Sequence, residues 1–147
     1  MQVLKFGGTS VATADNIKKV KNIVQSKNYD RVVVVVSTLG GVTDLLLQAG
    51  TLAANGGNGY KETLQKITDR HIAVAKELLP LNNQSSVLSL IMKQFNEVED
   101  ICNGVFILND FSDRTKDRIL SYGELICSQL ISAFFNSFGL TNKWVDT

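Results

Sequence analysis

At 147 residues, 44% hydrophobic and 20% charged, the chain has about one domain's worth of sequence and enough apolar side chains for a core, which excludes intrinsic disorder. Fifteen Lys and Arg stand against fourteen Asp and Glu, so no field favours nucleic acid or an anionic membrane, and small molecules are the expected ligands. The one asymmetry is mild: residues 1 to 73 carry nine basic and five acidic side chains, residues 74 to 147 six and nine.

In chain order, residues 3 to 6 (Val-Leu-Lys-Phe) predict a short strand. Asp15 to Asn28 predicts a helix, with Ile17, Val20, Ile23 and Val24 on one face and lysines 18, 19, 21 and 27 on the solvated one. Arg31 to Ser37 holds five consecutive valines, apolar on both faces, and predicts a buried central strand in a parallel sheet. Strand, helix and strand make a βαβ unit. Val42 to Ala54 predicts a second helix, and Asn55-Gly56-Gly57-Asn58-Gly59 a surface loop.

Three long helices follow. The first spans Tyr60 to Leu79 and stops at Pro80, the only proline. The second runs from Ser85 or Ser86 to near Gly104, and the third from about Ser112 to Phe138, with Gly139 as C-terminal cap. Phe134, Phe135 and Phe138 are expected in the core or in a buried contact with further sequence. Lys143 to Thr147 reads as the start of a strand, and a sheet ending on an unpaired strand start suggests half of a larger fold. The class is α/β, with helices layered on a mainly parallel sheet.

Both strand-to-helix junctions carry a Gly pair and then a hydroxyl residue: Lys5-Phe6-Gly7-Gly8-Thr9-Ser10 and Ser37-Thr38-Leu39-Gly40-Gly41-Val42-Thr43-Asp44. Glycines let backbone approach a ligand, and the N–H groups of a helix's first turn attract anions. A single Gly pair after a strand can be only a turn. Two of them at the carboxyl ends of adjacent parallel strands, with a lysine before the first, would face one crevice. Neither is a Walker A loop or a G-x-G-x-x-G fingerprint.

These residues resemble a known family. Lys5-Phe6-Gly7-Gly8-Thr9-Ser10-Val11 is similar to the N-terminal signature of aspartokinases in the amino acid kinase family. Val36 to Asp44 resembles that family's second Gly-rich loop. Asp113-Arg114-Thr115-Lys116-Asp117-Arg118-Ile119-Leu120-Ser121-Tyr122-Gly123-Glu124 resembles its Arg-Thr-x-Asp … Ser-Phe-Gly-Glu helix start. The departures are Thr38 for Ala, Tyr122 for Phe, and Ser112-Asp113 for Ser-Pro.

The resemblance implies a three-layer α/β/α sandwich, of which residues 1–147 are the N-terminal, amino-acid-binding part of the catalytic domain. The nucleotide-base pocket and regulatory domains would come from other sequence, and the 147 residues alone are expected to be inactive. The implied reaction is transfer of the ATP γ-phosphoryl group to the β-carboxylate of L-aspartate, with Mg²⁺ held mainly by ATP. That is the first step towards lysine, threonine and methionine. Lys5 would neutralise the phosphoryl group in flight, and Gly7, Gly8, Thr9 and Ser10 would hold phosphates. Ser37 and Thr43 would hold aspartate, and Glu124 its α-ammonium group, with Gly123 leaving room for the ligand beside the carboxylate. Arg114 has no assigned role. The resemblance also implies a homo-oligomer and leaves open a monofunctional enzyme or one fused to homoserine dehydrogenase. Acetylglutamate kinase, glutamate kinase and a non-catalytic α/β binding module are the alternatives.

Other features read as structure. Asp69-Arg70-His71 resembles the family's Arg-His pair on a helix, where His71 is expected to pack and not to transfer protons, and one histidine is too few for a His-based metal site. Cys102 and Cys127 are expected as reduced core thiols. With no secretory pattern and no apolar run of ~18 residues, a cytoplasmic protein that neither spans nor binds a membrane is expected.

Overall fold

The computed structural model describes residues 1–27 and 30–146. Asn28, the expected last residue of the first helix, and Thr147, in the expected final strand, lie outside the described residues.

Among the described residues two strands and five helices follow in order: β1 (Gln2–Phe6), α1 (Ala14–Ser26), β2 (Val32–Val36), α2 (Val42–Ala54), α3 (Gly59–Leu78), α4 (Leu81–Leu108) and α5 (Asp113–Ser137). The strands pair in parallel, Gln2 beside Val32 through Phe6 beside Val36, with α1 as the crossover, so the fold is α/β as expected. Because side chains alternate across a strand, Leu4, Phe6, Val34 and Val36 pack on the helical core. Lys5 and Val35 are register partners on the opposite face, where Val3, Val33 and Val35 are 57%, 43% and 42% exposed. The valine run is therefore half covered, not buried on both faces as its composition suggested.

The helices form by amphipathic burial. α1 starts on Thr13, whose Oγ1 accepts from the Asn16 N–H, and buries Ile17, Val20 and Val24. α5 starts on Ser112 in the same way. It ends on Gly139, left-handed at φ 79°, where the N–H groups of Gly139 and Leu140 donate to the carbonyls of Asn136 and Phe135.

α4 departs from expectation at both ends. It begins directly after Pro80, because the fixed proline φ suits a helix entry, and the polar run Asn82-Asn83-Gln84 hid its first turn from periodicity. Gln84 Nε2 donates to the carbonyls of Lys76 and Leu79, so the first turn of α4 closes the end of α3. At the other end Gly104 does not stop the helix, which continues to a left-handed Asn109 at φ 50°.

Lys143 to Asp146 form no strand. This tail is bound to α5 instead. Ser132 Oγ donates to Asn142 Oδ1 at 2.6 Å, the Asn142 N–H to Asn136 Oδ1 at 2.9 Å, and Trp144 Nε1–H to Ser128 Oγ at 3.0 Å. Phe134 and Phe135 are core, whereas Phe138 is 48% exposed beneath the Lys21 ammonium. Among the described residues no helix is long and apolar enough to cross a membrane.

Candidate active site

The parallel pairing brings the carboxyl ends of β1 and β2 side by side, and Ser37 N–H extends the ladder to the Phe6 carbonyl at 3.0 Å. The chain then leaves each strand differently. After β1 it makes a loop of residues 7–13, turned by a bond from Ser10 N–H to the Gly7 carbonyl. Asn16 holds this loop by donating its Nδ2 to the Thr9 carbonyl at 2.9 Å. The expectation of a Gly pair at the start of a helix fails here, because α1 begins only at Ala14. Gly7 and Gly8 can meet an anion through loop backbone, not through a helix terminus.

After β2 the expectation holds. Leu39 is fully buried and anchors the turn, and Gly41, at φ 79°, is the N-cap residue of α2. Only glycine adopts that conformation without strain. Thr43 lies exposed in the first turn.

The two loops touch through their backbones. A Cβ on Gly8 would lie 3.5 Å from the Thr38 carbonyl oxygen and 3.9 Å from Ser37 Oγ. One on Gly40 would lie 3.0 Å from Ala12 Cβ and 3.3 Å from the Gly8 carbonyl oxygen, so a side chain at Gly40 would push the loops apart. From α3, Arg70 reaches both: Nη1 donates to the Gly40 carbonyl at 2.5 Å and Nη2 to the Ala12 carbonyl at 2.9 Å.

α5 closes the third side. A Cβ on Gly123 would lie 2.9 Å from Thr38 Oγ1, so the space beside Glu124 is taken by Thr38, not left for a ligand. The glycine instead lets α5 approach the second loop. Glu124 follows, exposed and midway along α5, not at its start. Thr38 Oγ1 itself is buried without a hydrogen-bond partner, the consequence of a threonine where the family resemblance has alanine.

The structure thus brings together Gly8, Ser37, the second loop and the Gly123 step that carries Glu124. Lys5 stands on the open face of the sheet beside Val35, and Gly7 and Thr9 are exposed in the first loop with Ser10 half-buried. Arg114 is exposed in the first turn of α5 and makes none of the contacts that join the loops.

The buried titratable groups stay out of the chemistry. His71 is fully buried, and its Nδ1 bonds the Ile67 carbonyl at 2.8 Å. Burial, with the Arg70 charge adding to it, pushes its pKa down to about 4. Burial pushes the Cys127 thiol up to about 12, helped by the Glu124 carboxylate, and the Cys102 thiol up to about 11, helped by Glu99. Both cysteines are free and protonated at neutral pH, so neither is a nucleophile. A concavity of about 630 Å³ along α4, lined by Leu88, Met92, Lys93 and Glu97 among others, shares no residue with the loops.

Sequence reasoning overlooked Arg70 and Asn16 as loop anchors. The signal for Arg70 was its place beside His71 on the buried face of α3, next to Ile67, Thr68 and Val74, where a charged side chain needs partners. Nothing in the local sequence marks Asn16.

Known proteins resemble this chain in sequence and in fold. The sequence profile of the amino acid kinase family matches residues 1–147. A chloroplastic bifunctional aspartokinase/homoserine dehydrogenase 2 of Arabidopsis thaliana is 29% identical over 145 residues, 99% of this chain and 16% of that protein. Aspartokinase 1 of the same plant, also chloroplastic, is 33% identical over 147 residues, 98% of this chain and 25% of that protein. Among solved structures, E. coli aspartokinase III in complex with aspartate and ADP superposes with a TM-score of 0.80 at 26% identity, over 94% of this chain and 29% of that one. The chain spans a quarter or less of the length of these two curated relatives.

Proposed function

The chain belongs to the amino acid kinase family, and from that premise we propose that its whole protein transfers the γ-phosphoryl group of ATP to the β-carboxylate of L-aspartate, yielding 4-phospho-L-aspartate and ADP. One observation carries the reading: the three segments that resemble aspartokinases meet in space, Gly8 against Thr38 and Ser37, and Thr38 against Gly123. Residues 1–147 are the amino-acid-binding part of the catalytic domain in this proposal. The base pocket and regulatory parts belong to other sequence of the same protein.

The chemistry asks for what these residues offer. A carboxylate oxygen of aspartate attacks the γ-phosphorus, the bond to the β,γ-bridging oxygen breaks, and ADP leaves with that electron pair. A carboxylate is already ionised at neutral pH, so no general base is needed. Catalysis is then positioning and charge neutralisation. Lys5 supplies an ammonium for charge spreading over the phosphoryl oxygens. Backbone donors of Gly7 and Gly8 serve the phosphates, with Thr9 and the Ser10 hydroxyl beside them, the Ser10 N–H being held by the Gly7 carbonyl. Ser37 and Thr43 hold aspartate through their hydroxyls, and Glu124 pairs with its α-ammonium.

Mg²⁺ accompanies ATP in such reactions, usually on substrate phosphates with one or two carboxylates. Among the described residues no three His, Cys, Asp or Glu side chains gather where they could hold an ion. ATP is the proposed carrier of the ion. The place in lysine, threonine and methionine synthesis, homo-oligomerisation of the whole protein and a cytoplasmic location are part of the same proposal. Two buried, unpaired thiols support a reducing compartment.

Hydroxamate trapping of the acyl phosphate tests the activity. The whole protein with ATP is expected to give aspartyl hydroxamate from L-aspartate. Product from glutamate or acetylglutamate and none from aspartate would overturn the assignment, and binding without any product would make the chain part of a binding module.

A further inference from the structure

We propose that Arg70 is a positioning residue whose guanidinium fixes the spacing of the two Gly-rich loops by taking the Gly40 carbonyl on Nη1 and the Ala12 carbonyl on Nη2. The kinetic part of this inference rests on the function proposed above; the structural part does not.

The loops are anchored separately in the core, the first by Val11 and the second by Leu39, and have few side chains between them. They touch at Gly8, Ala12 and Gly40, where three small residues leave backbone against backbone and few side-chain atoms to pack. Arg70 bridges the loops from a third element, and that element is packed into the core beside it. The next residue, His71, is fully buried, bonded to the Ile67 carbonyl and edge-on to Phe95 at 5.0 Å between centroids. A guanidinium suits the task because its planar fork presents separate N–H groups at fixed angles to two acceptors, whereas an ammonium is a single point of charge on a flexible stem. Charge assistance also makes these bonds stronger than neutral ones.

The clamp has an electrostatic side too. Carbonyl oxygens at the edge of a phosphate crevice carry partial negative charge and would repel the ligand. Paired with a permanent cation they are neutralised and held towards α3. Since the first loop is proposed to serve the phosphates and the second the amino acid, their separation sets the distance between the reacting groups. A misplacement of ~1 Å can cost about a hundredfold in rate.

The test uses Arg70→Met and Arg70→Lys in the whole protein, with two measurements. Amide hydrogen exchange is read in residues 7–12 and 38–43, and steady-state kinetics with aspartate and ATP varied separately. In Arg70→Met, exchange is expected to quicken about tenfold or more in both loops together. The value of kcat should fall about tenfold or more while both KM values move less than about threefold. Arg70→Lys keeps the charge and serves if the Met variant fails to fold; it should regain thermal stability but not kcat.

Quickened exchange in one loop alone, or in neither, would overturn the clamp. So would a Lys variant with wild-type kcat, since charge alone would then suffice. If the wild-type protein makes no phosphoaspartate, the functional reading fails while the exchange measurement still decides the clamp.

Discussion

His71 illustrates what a single buried side chain can and cannot do. With its Nδ1 on the Ile67 carbonyl and burial holding its pKa at about 4 against 6.5, it is neutral in the native state at pH 7. Between pH 6.5 and about 4 the unfolded chain binds a proton that the native chain refuses. Stability attributable to His71 is therefore complete above pH 6.5 and is lost as pH falls towards 4, by about 3 kcal/mol at most. Urea unfolding at pH 7.5 and pH 4.5 should show wild type losing about 2 kcal/mol more than His71→Asn, which cannot titrate. Equal losses would mean that the ring is hydrated or already charged in the fold. A histidine that resists protonation is no general base for this site, and the proposed reaction, whose nucleophile is a carboxylate, asks for none.

At the scale of elements, two helical glycines separate local propensity from packing. Gly104 in α4 has no atom within 4 Å of where a Cβ would go, so Gly104→Ala should stabilise by up to ~1 kcal/mol. Gly50 in α2 has the Phe111 ring of the α4–α5 connection lying across it. Gly50→Ala gains the same propensity but must displace that ring, for a net loss of about 1 kcal/mol or more. Thermal unfolding should move in opposite directions for the two variants, and a rise in both would show that Phe111 moves aside freely. The same contrast explains which boundaries were legible. α2 was readable to the residue because Gly41 and Asn55 frame an apolar run. Gly104 looked like a stop although nothing there compels one, and the polar start of α4 carried no period. The tail after Leu140 has strand-like residues, but Asn142 and Trp144 spend their polar groups on α5, a tertiary choice that no local pattern announces.

At the scale of the whole molecule, the candidate site is an assembly of distant pieces. The two loops and their hydroxyls were legible because Gly-Gly after a strand has a physical meaning, and the βαβ unit makes such strands neighbours. The fit of α5 on Thr38 through Gly123, and the reach of Arg70 across both loops, depend on how three helices pack, which spacing along the chain does not encode. The open face of the sheet is a similar case: five valines announce apolarity on both faces but not what covers each. Glu124 is the proposed site residue most dependent on this packing, since it comes from α5 while the others come from β1, β2 and the segments that follow them. Its substitution asks whether the assembly works as one site. Breaking a desolvated charge pair typically costs ~2 to 5 kcal/mol, against roughly 0.5 kcal/mol or less for an idle surface residue. The decisive measurement is therefore steady-state kinetics of Glu124→Gln in the whole protein, with aspartate and ATP varied separately. The account predicts that kcat/KM for aspartate falls more than about tenfold while the KM for ATP stays within about twofold, and an unchanged kcat/KM for aspartate would contradict it.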